Sequence, residues 1–532
     1  MVNAYIKLVK HWLMTLSTAP GLPFFNLEPQ PVSFLKFILQ PACRKYLYIA
    51  LGGILGQLII FKLLYPYADY FSDSYSFIEI AVTHEGFNIW PIGYSWFLYL
   101  FHFITHSDTA VVVFQYLFLE LTVLIFFFTV LYWYPLSPTA AGVLLVVLVF
   151  NPLSLYVSNY ISSDALFSAL SILWFTTLLW MIHQPRNWQL WLHGVVLVAA
   201  FTIRYHAMYY PLVTLVVFLL SKHSKNAKIA GLVAPIALIL IFVQYTRDEA
   251  YRLTGVHQFS VLSDWHWANN ALYMYEHIAV DSTQVPYEAL PFHRMTQAYF
   301  DTIPDQWRNF SPRIGGIYFR HPYGPLKTYM RRYQRAHPDN TDIEGWGQVA
   351  PIYGVWGKHM IKKHPVAYAR YYLMPNTLNY FLPPLEKLVT YNYGGTVVPP
   401  IVAQWFDYPK AEVRVVSKDL SSLALLLVPM VFMMLNVAFV AGSIWFLAIG
   451  YYRKMPVVWQ GLMLAMIVWV LNTGFNILAA PVAVRYLIYP FMVFTGFAVV
   501  LIDLWVKENE EAEKAPIGEE VRGEQSTVHS SR

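Results

Sequence analysis

Charge is what this 532-residue chain has least of. Asp, Glu, Lys and Arg together make up 13% of it, about half of the roughly 25% that a soluble globular protein carries. That shortage excludes a string of soluble domains, the reading that length alone would invite. Cysteine is nearly absent: Cys43 stands alone, so an intrachain disulfide, a zinc ribbon or an iron–sulfur cluster is excluded. His257, His266, His277, His293, His321, His337, His359 and His364 keep no metal-ligand spacing. No segment repeats with a defined period, which weighs against an inverted-repeat transporter. Met1 to Leu16 is interrupted by Lys7, Lys10 and His11 and offers no small-residue cleavage site, so no cleavable signal peptide is expected. The formal net charge of +5 is spread along the chain and makes no case for nucleic acid.

What the chain has in abundance is apolar and aromatic surface. Hydrophobic residues make up 57% and aromatic residues 17%, and the mean hydropathy is +0.43. An all-α polytopic membrane protein is expected. A spanning helix needs about 20 mostly apolar residues, and ten runs qualify, near 46–65, 109–133, 139–157, 164–183, 190–208, 209–221, 228–246, 421–447, 457–476 and 484–505. Lys and Arg gather on the cytoplasmic side of short loops. With the N-terminus inside, Arg44, Lys45, Arg186, Lys222, Lys225, Lys228, Arg453, Lys454 and Lys507 all fall inside. Asp69, Asp73, Glu79, Glu85 and Asp164 fall outside. Nine or eleven spans would break this alternation.

The spans divide the chain into an N-terminal cytoplasmic or interfacial segment (1–45), an N-terminal transmembrane module (46–246), one large external domain (247–418), the C-terminal transmembrane helices (419–505) and a disordered, glutamate-rich cytoplasmic tail (506–532). The first external loop, 66–108, is too apolar for an ordinary loop. Its aromatic stretch from Ile92 to Ile104 reads as a helix lying in the membrane interface.

That loop opens with the most informative stretch, Tyr67-Ala-Asp-Tyr-Phe-Ser-Asp-Ser-Tyr-Ser-Phe-Ile-Glu-Ile-Ala81. Asp69 and Asp73 are four apart, so on a helix they share a face. Two carboxylates at a low-dielectric boundary raise each other's pKa, as a general base or a metal ligand requires; a solvated pair at a helix start is the plainer reading. Asp164 follows Ser163 at the outer mouth of the fourth span, where either is also a good N-cap. Arg204 lies in the outer half of the fifth span, and Arg485 begins the last span from the outside. Intramembrane charge costs about 2.5–3.5 kcal/mol and marks a site by default, and arginine's planar fork suits phosphate oxygens. Snorkelling to lipid headgroups is the alternative. Arg308, Arg313, Arg320, Lys327, Arg331, Arg332 and Arg335 form a basic stretch interleaved with tyrosines, read as a face lying on anionic headgroups.

The pattern Asp73-x-x-x-Phe77-x-x-x-Ala81, followed by Trp90-Pro-Ile-Gly-Tyr-Ser-Trp-Phe-Leu98, resembles the first external loop of the GT-C superfamily of lipid-linked glycosyltransferases. It is similar in particular to the branch of protein O-mannosyltransferases and lipid A aminoarabinose transferases. Ser74 stands where that pattern has a second acid, and Pro91 is single where two prolines are common. Asp164 in Asn159-Tyr-Ile-Ser-Ser-Asp-Ala-Leu-Phe167 and the Arg485-Tyr486 pair ahead of Pro490 extend the likeness, which covers about four short segments. The resemblance implies transfer of a sugar from a polyprenyl-phosphate donor to a hydroxyl acceptor on a protein, lipid or glycan, at the outer face of the membrane and with inversion. It implies Asp73 as catalytic base, Arg204 and Arg485 on the donor phosphate, and Asp164 and Asp69 orienting the acceptor or holding a divalent cation (Mg or Mn). His84, Glu85 and Tyr75 are candidate substrate contacts. A bacterial inner membrane with the site facing the periplasm is expected, with the endoplasmic reticulum as alternative. The rival readings are a lipid-linked glycan flippase or transporter without glycosyl transfer, and a polymerase or ligase using a diphosphate donor.

Overall fold

The computed structural model describes residues 32–134 and 136–514. The N-terminal residues up to 31 and the acidic tail beyond 514 lie outside the described residues, and so does what was expected of them. Regular structure among the described residues is helical throughout, with only two isolated β-bridges, Asp69 to Tyr160 and Val397 to Glu412.

Eight segments are long and apolar enough to cross a membrane. They are α1 (Pro41–Leu64), α4 (Asp108–Trp133), the pair α5 (Pro138–Val149) and α6 (Pro152–Asn159), α7 (Ser163–His183), α10 (Lys225–Thr254), a segment over Leu420–Ala448 whose main helix is α14 (Val428–Ala448), α15 (Pro456–Ala479), and α16 (Ile488–Lys514). Proline opens α1, α5, α6 and α15 at the position where its missing N–H leaves nothing unpaired. Pro152 also ends α5, and the Asn151 side chain accepts the Leu153 N–H at 3.0 Å to start α6. At 1.5 Å per residue, 24 residues reach about 36 Å, enough for a hydrocarbon core of about 30 Å.

The expected fifth and sixth spans are shorter apolar helices, α8 (Asn187–Ile203) and α9 (Tyr210–Leu220). The break between them is at Arg204, whose backbone is extended (φ −150°, ψ 129°). Arg204 therefore sits at a helix end and not inside a span. The long helix α16 runs on to Lys514, so the first residues of the expected tail are helical.

The first loop carries two helices, α2 (Ser72–Thr83) and α3 (Gly93–His102), the second within the aromatic stretch expected to be helical. Between α10 and α14 lies the long region expected to be external, which includes α11 (Val261–Tyr275), α12 (Asp342–Lys363) and α13 (Met374–Phe381). Helix α10 runs on past residue 247, the expected start of this region, to Thr254, and closes on the left-handed Gly255 (φ 71°). This region has its own aromatic core, with Trp265, Trp356, Tyr353 and Phe292 fully buried. Its last part does not belong to that core. Tyr380, Leu388, Tyr391, Val402 and Phe406 pack into the apolar core of the helix bundle, over the first loop. This placement brings residues far apart in sequence to one end of the bundle.

Candidate functional site

The chain from Pro66 to Phe71 runs extended across that end of the bundle. Asp69 donates its N–H to Asn159 O at 2.8 Å and accepts the Ile161 N–H at 3.1 Å, tying the first loop to the turn between α6 and α7. Helix α2 then starts with the Ser74 hydroxyl accepting the Phe71 N–H at 3.2 Å. Ser74, where a second acid was the comparison, thus closes the helix N-terminus. Because the helix begins only at Ser72, Asp69 and Asp73 do not share a helical face.

Asp73 sits in the first turn of α2 with 5% of its surface exposed. Lys387 Nζ donates to its Oδ1 at 2.9 Å, and Arg485 Nη1 donates to its Oδ2 at 3.0 Å. The same Arg485 nitrogen reaches Asp164 Oδ2 at 3.4 Å, while Arg204 donates to Asp164 Oδ1. Arg485 lies in the turn before α16 and Asp164 in the first turn of α7, so one guanidinium joins two carboxylates from two chain segments. Aromatic faces hold the cations. Arg204 and Arg485 lie 5.1 and 4.7 Å from the Tyr486 ring, and Lys387 lies 3.9 Å from the Phe71 ring. Two carboxylates face three cations, which leaves one positive charge in excess. A neighbouring pair, Arg320 with Glu386 at 2.9 Å, adds no net charge.

Burial alone pushes the Asp73 carboxyl up, but Lys387 and then Arg485 outweigh it and hold it at about 2. Burial lowers the Lys387 ammonium to about 8 against the opposing pull of Asp73. Asp73 is thus ionised at neutral pH, with both oxygens engaged by cations. Arg485 Nε is buried without a hydrogen-bond partner.

These groups form the polar end of a cavity of about 560 Å³ lined by Asp73, Asp164, Arg204, Arg320, Lys387 and Arg485. Trp90, Phe259, Trp267, Phe319, Phe475 and Leu478 line the apolar remainder. Asp73, Asp164, Arg204 and Arg485 thus meet in one place. Asp69 does not line this cavity. Its carboxylate accepts the Asn392 N–H at 2.8 Å, and burial pushes it up to about 7 although that N–H pulls the other way. Asn392 and Tyr393 both hold left-handed backbones (φ 45° and 50°), a strained conformation for residues other than glycine. Three bonds hold this stretch: Asp69 to Asn392, Tyr391 OH to Ala68 O at 2.7 Å, and Tyr160 OH to Lys387 O at 2.6 Å. Asp69 therefore fixes the segment that carries Lys387.

His84, Glu85 and Tyr75 lie outside the cavity. His84 ends α2 in a left-handed conformation (φ 59°) and packs on Tyr99, beside a second hollow of about 380 Å³. Glu85 follows it, half-buried in the loop beyond α2, and Tyr75 packs against the bundle core. The basic stretch is divided. Arg320 faces the cavity, Lys327 sits 3.5 Å over the Trp346 ring, and Arg308 donates to Phe300 O at 2.6 Å.

Lys387 is the cavity cation that the sequence reading missed. Glu386 and Lys387 are the only charged residues between Arg370 and Asp407, and that isolation within an apolar, proline-rich stretch was the available signal. Among the described residues no three His, Cys, Asp or Glu side chains converge. The cavity carboxylates already face ammonium and guanidinium groups, so this donor set does not fit a divalent cation. Comparison of the chain with family models, with curated proteins and with solved structures gives no match in any of the three.

Proposed function

We propose that the chain is an integral membrane glycosyltransferase that moves a sugar from a polyprenyl-phosphate donor to a hydroxyl acceptor at the outer face of a membrane. The observation that carries this reading is the charge cluster at the head of a largely apolar cavity. Asp73 and Asp164 are bracketed by Lys387, Arg204 and Arg485, with one positive charge in excess. A polyprenyl-phosphate sugar is a phosphodiester with a single negative charge, and that surplus matches it. A diphosphate-linked donor brings a second charge and matches less well, which disfavours the polymerase or ligase reading. The remaining wall, with Trp90, Phe475 and Leu478, suits a donor whose other end is hydrocarbon.

The reaction follows from what each group does. The acceptor oxygen attacks the anomeric carbon, the bond from that carbon to the phosphate oxygen breaks, and its electron pair leaves with the phosphate. The lipid phosphate then carries two negative charges instead of one, and fixed cations favour that change. The hydroxyl proton passes to Asp73. In the resting protein both Asp73 oxygens are occupied by cations. A bound phosphate competes for Arg485 and Lys387 and so releases Asp73 to meet the acceptor. Arg485 Nε, buried and unpartnered, is a donor left over for a phosphate oxygen. Asp164 keeps Arg204 and Arg485 oriented, and Asp69 holds the segment bearing Lys387; both are positioning residues. A single displacement of this kind inverts the anomeric centre. The setting that suits the reading best is a bacterial inner membrane with the cavity open to the periplasm.

A flippase or transporter reading draws on Glu120, a carboxylate halfway along α4. Glu120 is not among the residues lining the cavity, so it marks no path continuous with it. The test is to supply purified protein with a panel of polyprenyl-phosphate sugars and native membrane extract as acceptor source, and to measure polyprenyl phosphate released. Release by the wild type and none by Asp73→Asn supports the transferase. Cleavage of no donor by the wild type overturns it.

A further inference from the structure

Helix α4 carries an acid that the proposed reaction does not use. Glu120 lies 12 residues into α4, about 18 Å along its axis and near the midpoint of the helix. It is 1% exposed, and neither carboxyl oxygen has a hydrogen-bond partner. Tyr116, one turn earlier on the same face, also has a buried hydroxyl without a partner. Helix α6 packs against α4 and presents Ser154 and Ser158, again one turn apart, both fully buried with unpartnered hydroxyls. Ser154 is the neighbour of the Glu120 carboxyl, and Gln115 donates to Ser158 O at 2.9 Å, which fixes the register of the two helices.

Glu120, Tyr116, Ser154 and Ser158 thus put five buried oxygens along one helix interface, with the Ser154 hydroxyl against the Glu120 carboxyl. Neighbouring charges do not answer Glu120. The charged and titratable residues whose side chains are described on the helices packed against α4 are Lys36, Arg44, Lys45, Lys62, Asp164, His183, Asp503, Lys507, Glu508 and Glu510, and Asp503 accepts the Ser137 N–H beyond the C-terminal end of α4. Helices α5 and α6 carry none. Unsatisfied polar groups are costly in an apolar interior, and an intramembrane carboxyl needs its charge balanced on the spot. A divalent ion would leave a net positive charge at the membrane midplane. A single positive charge leaves none.

We propose that Glu120, Tyr116, Ser154 and Ser158 form a midplane site for one monovalent cation, either a sodium ion or a proton. The carboxylate supplies the balancing charge, and the three hydroxyls complete an oxygen shell of the kind sodium prefers. The site is separate from the cavity and does not depend on the glycosyltransferase reading.

The experiment uses the full-length protein in detergent, treated with dicyclohexylcarbodiimide, which modifies protonated carboxyls in apolar surroundings, and read by peptide mass spectrometry. Sodium chloride is exchanged for choline chloride at constant ionic strength, and the pH is varied. Thermal unfolding of the wild type, Glu120→Gln and Ser154→Ala is followed under the same conditions. Glu120 is expected to be labelled. If the ion is sodium, a tenfold excess over its Kd slows labelling about tenfold and raises the unfolding temperature, a response that Ser154→Ala weakens and Glu120→Gln abolishes. If it is a proton, labelling and unfolding respond to pH and not to sodium, and Glu120→Gln removes the pH response. Absence of labelling at Glu120 throughout, with wild type and Ser154→Ala responding alike to sodium and to pH, overturns the proposal. So does a Glu120→Gln variant that folds and keeps the wild-type responses.

Discussion

Replacing Arg485 by Met tests the charge cluster most searchingly, because this side chain touches both acids. Breaking a buried ion pair by removing one partner costs about 3–5 kcal/mol. Here neither acid is stranded, since Asp73 keeps Lys387 and Asp164 keeps Arg204. The cost should therefore fall at the lower end, about 3 kcal/mol. The bond to Asp73 is 3.0 Å and that to Asp164 is 3.4 Å, so coupling to Asp73 should be the larger. In an Asp73→Asn background the cost of Arg485→Met should shrink by about 1–3 kcal/mol, and in an Asp164→Asn background by less. The variant also removes the surplus positive charge. Loss of one charge-assisted hydrogen bond, worth about 1.5–3 kcal/mol, weakens donor binding roughly tenfold to hundredfold. Unfolding can be followed by the reactivity of Cys43, the only cysteine and fully buried, during titration with sodium dodecyl sulfate. Costs equal within about 0.5 kcal/mol in all three backgrounds would refute the bridging role.

The other predictions concern the groups around this centre. Burial holds Lys387 at about 8, so it sheds its proton as pH rises past that value. Donor affinity should decline above about pH 8, and Lys387→Arg should carry the decline to higher pH; an unchanged profile in the variant contradicts the assignment. Asp69 is raised from 3.8 to about 7, and its stabilising contribution is therefore full below 3.8 and lost as pH rises through 7. Asp69→Asn, which still accepts the Asn392 N–H, should flatten that decline at little cost, whereas Asp69→Ala leaves the N–H unpaired and costs about 1–3 kcal/mol; thermal unfolding between pH 4 and about 7 separates these outcomes. His84→Ala, Glu85→Gln and Tyr75→Phe lie outside the cavity lining, and donor turnover should stay within about twofold of wild type, a surface or core change of small effect.

The parts of this fold that were legible in the sequence are those governed by composition and periodicity. Apolar runs mark the eight long helices among the described residues, because lipid leaves the backbone few alternatives. Arg204 was harder, since an apolar run continues through it and only the backbone shows the break. Arg204 and Arg485 were singled out because charge within a membrane is rare enough to stand out, and Asp73 and Asp164 because short motifs around them resemble a known pattern. What periodicity does not carry is contact over long separations. Lys387 meets Asp73 across 314 positions and Arg485 meets Asp73 across 412, and no local rule predicts either. The helical spacing of Asp69 and Asp73 misled for the same reason, because the Tyr160 bridge holds Asp69 extended before the helix begins.

The central claim is that Asp73 serves chemistry while the cations around it bind the donor. It is tested most directly by separating binding from turnover in wild type and Asp73→Asn, with one polyprenyl-phosphate sugar and its acceptor. Asn keeps the shape of the side chain and removes the base. Both proteins are expected to bind the donor and only the wild type to release polyprenyl phosphate, with loss of about a hundredfold or more in the variant. Turnover by Asp73→Asn at the wild-type rate would contradict it.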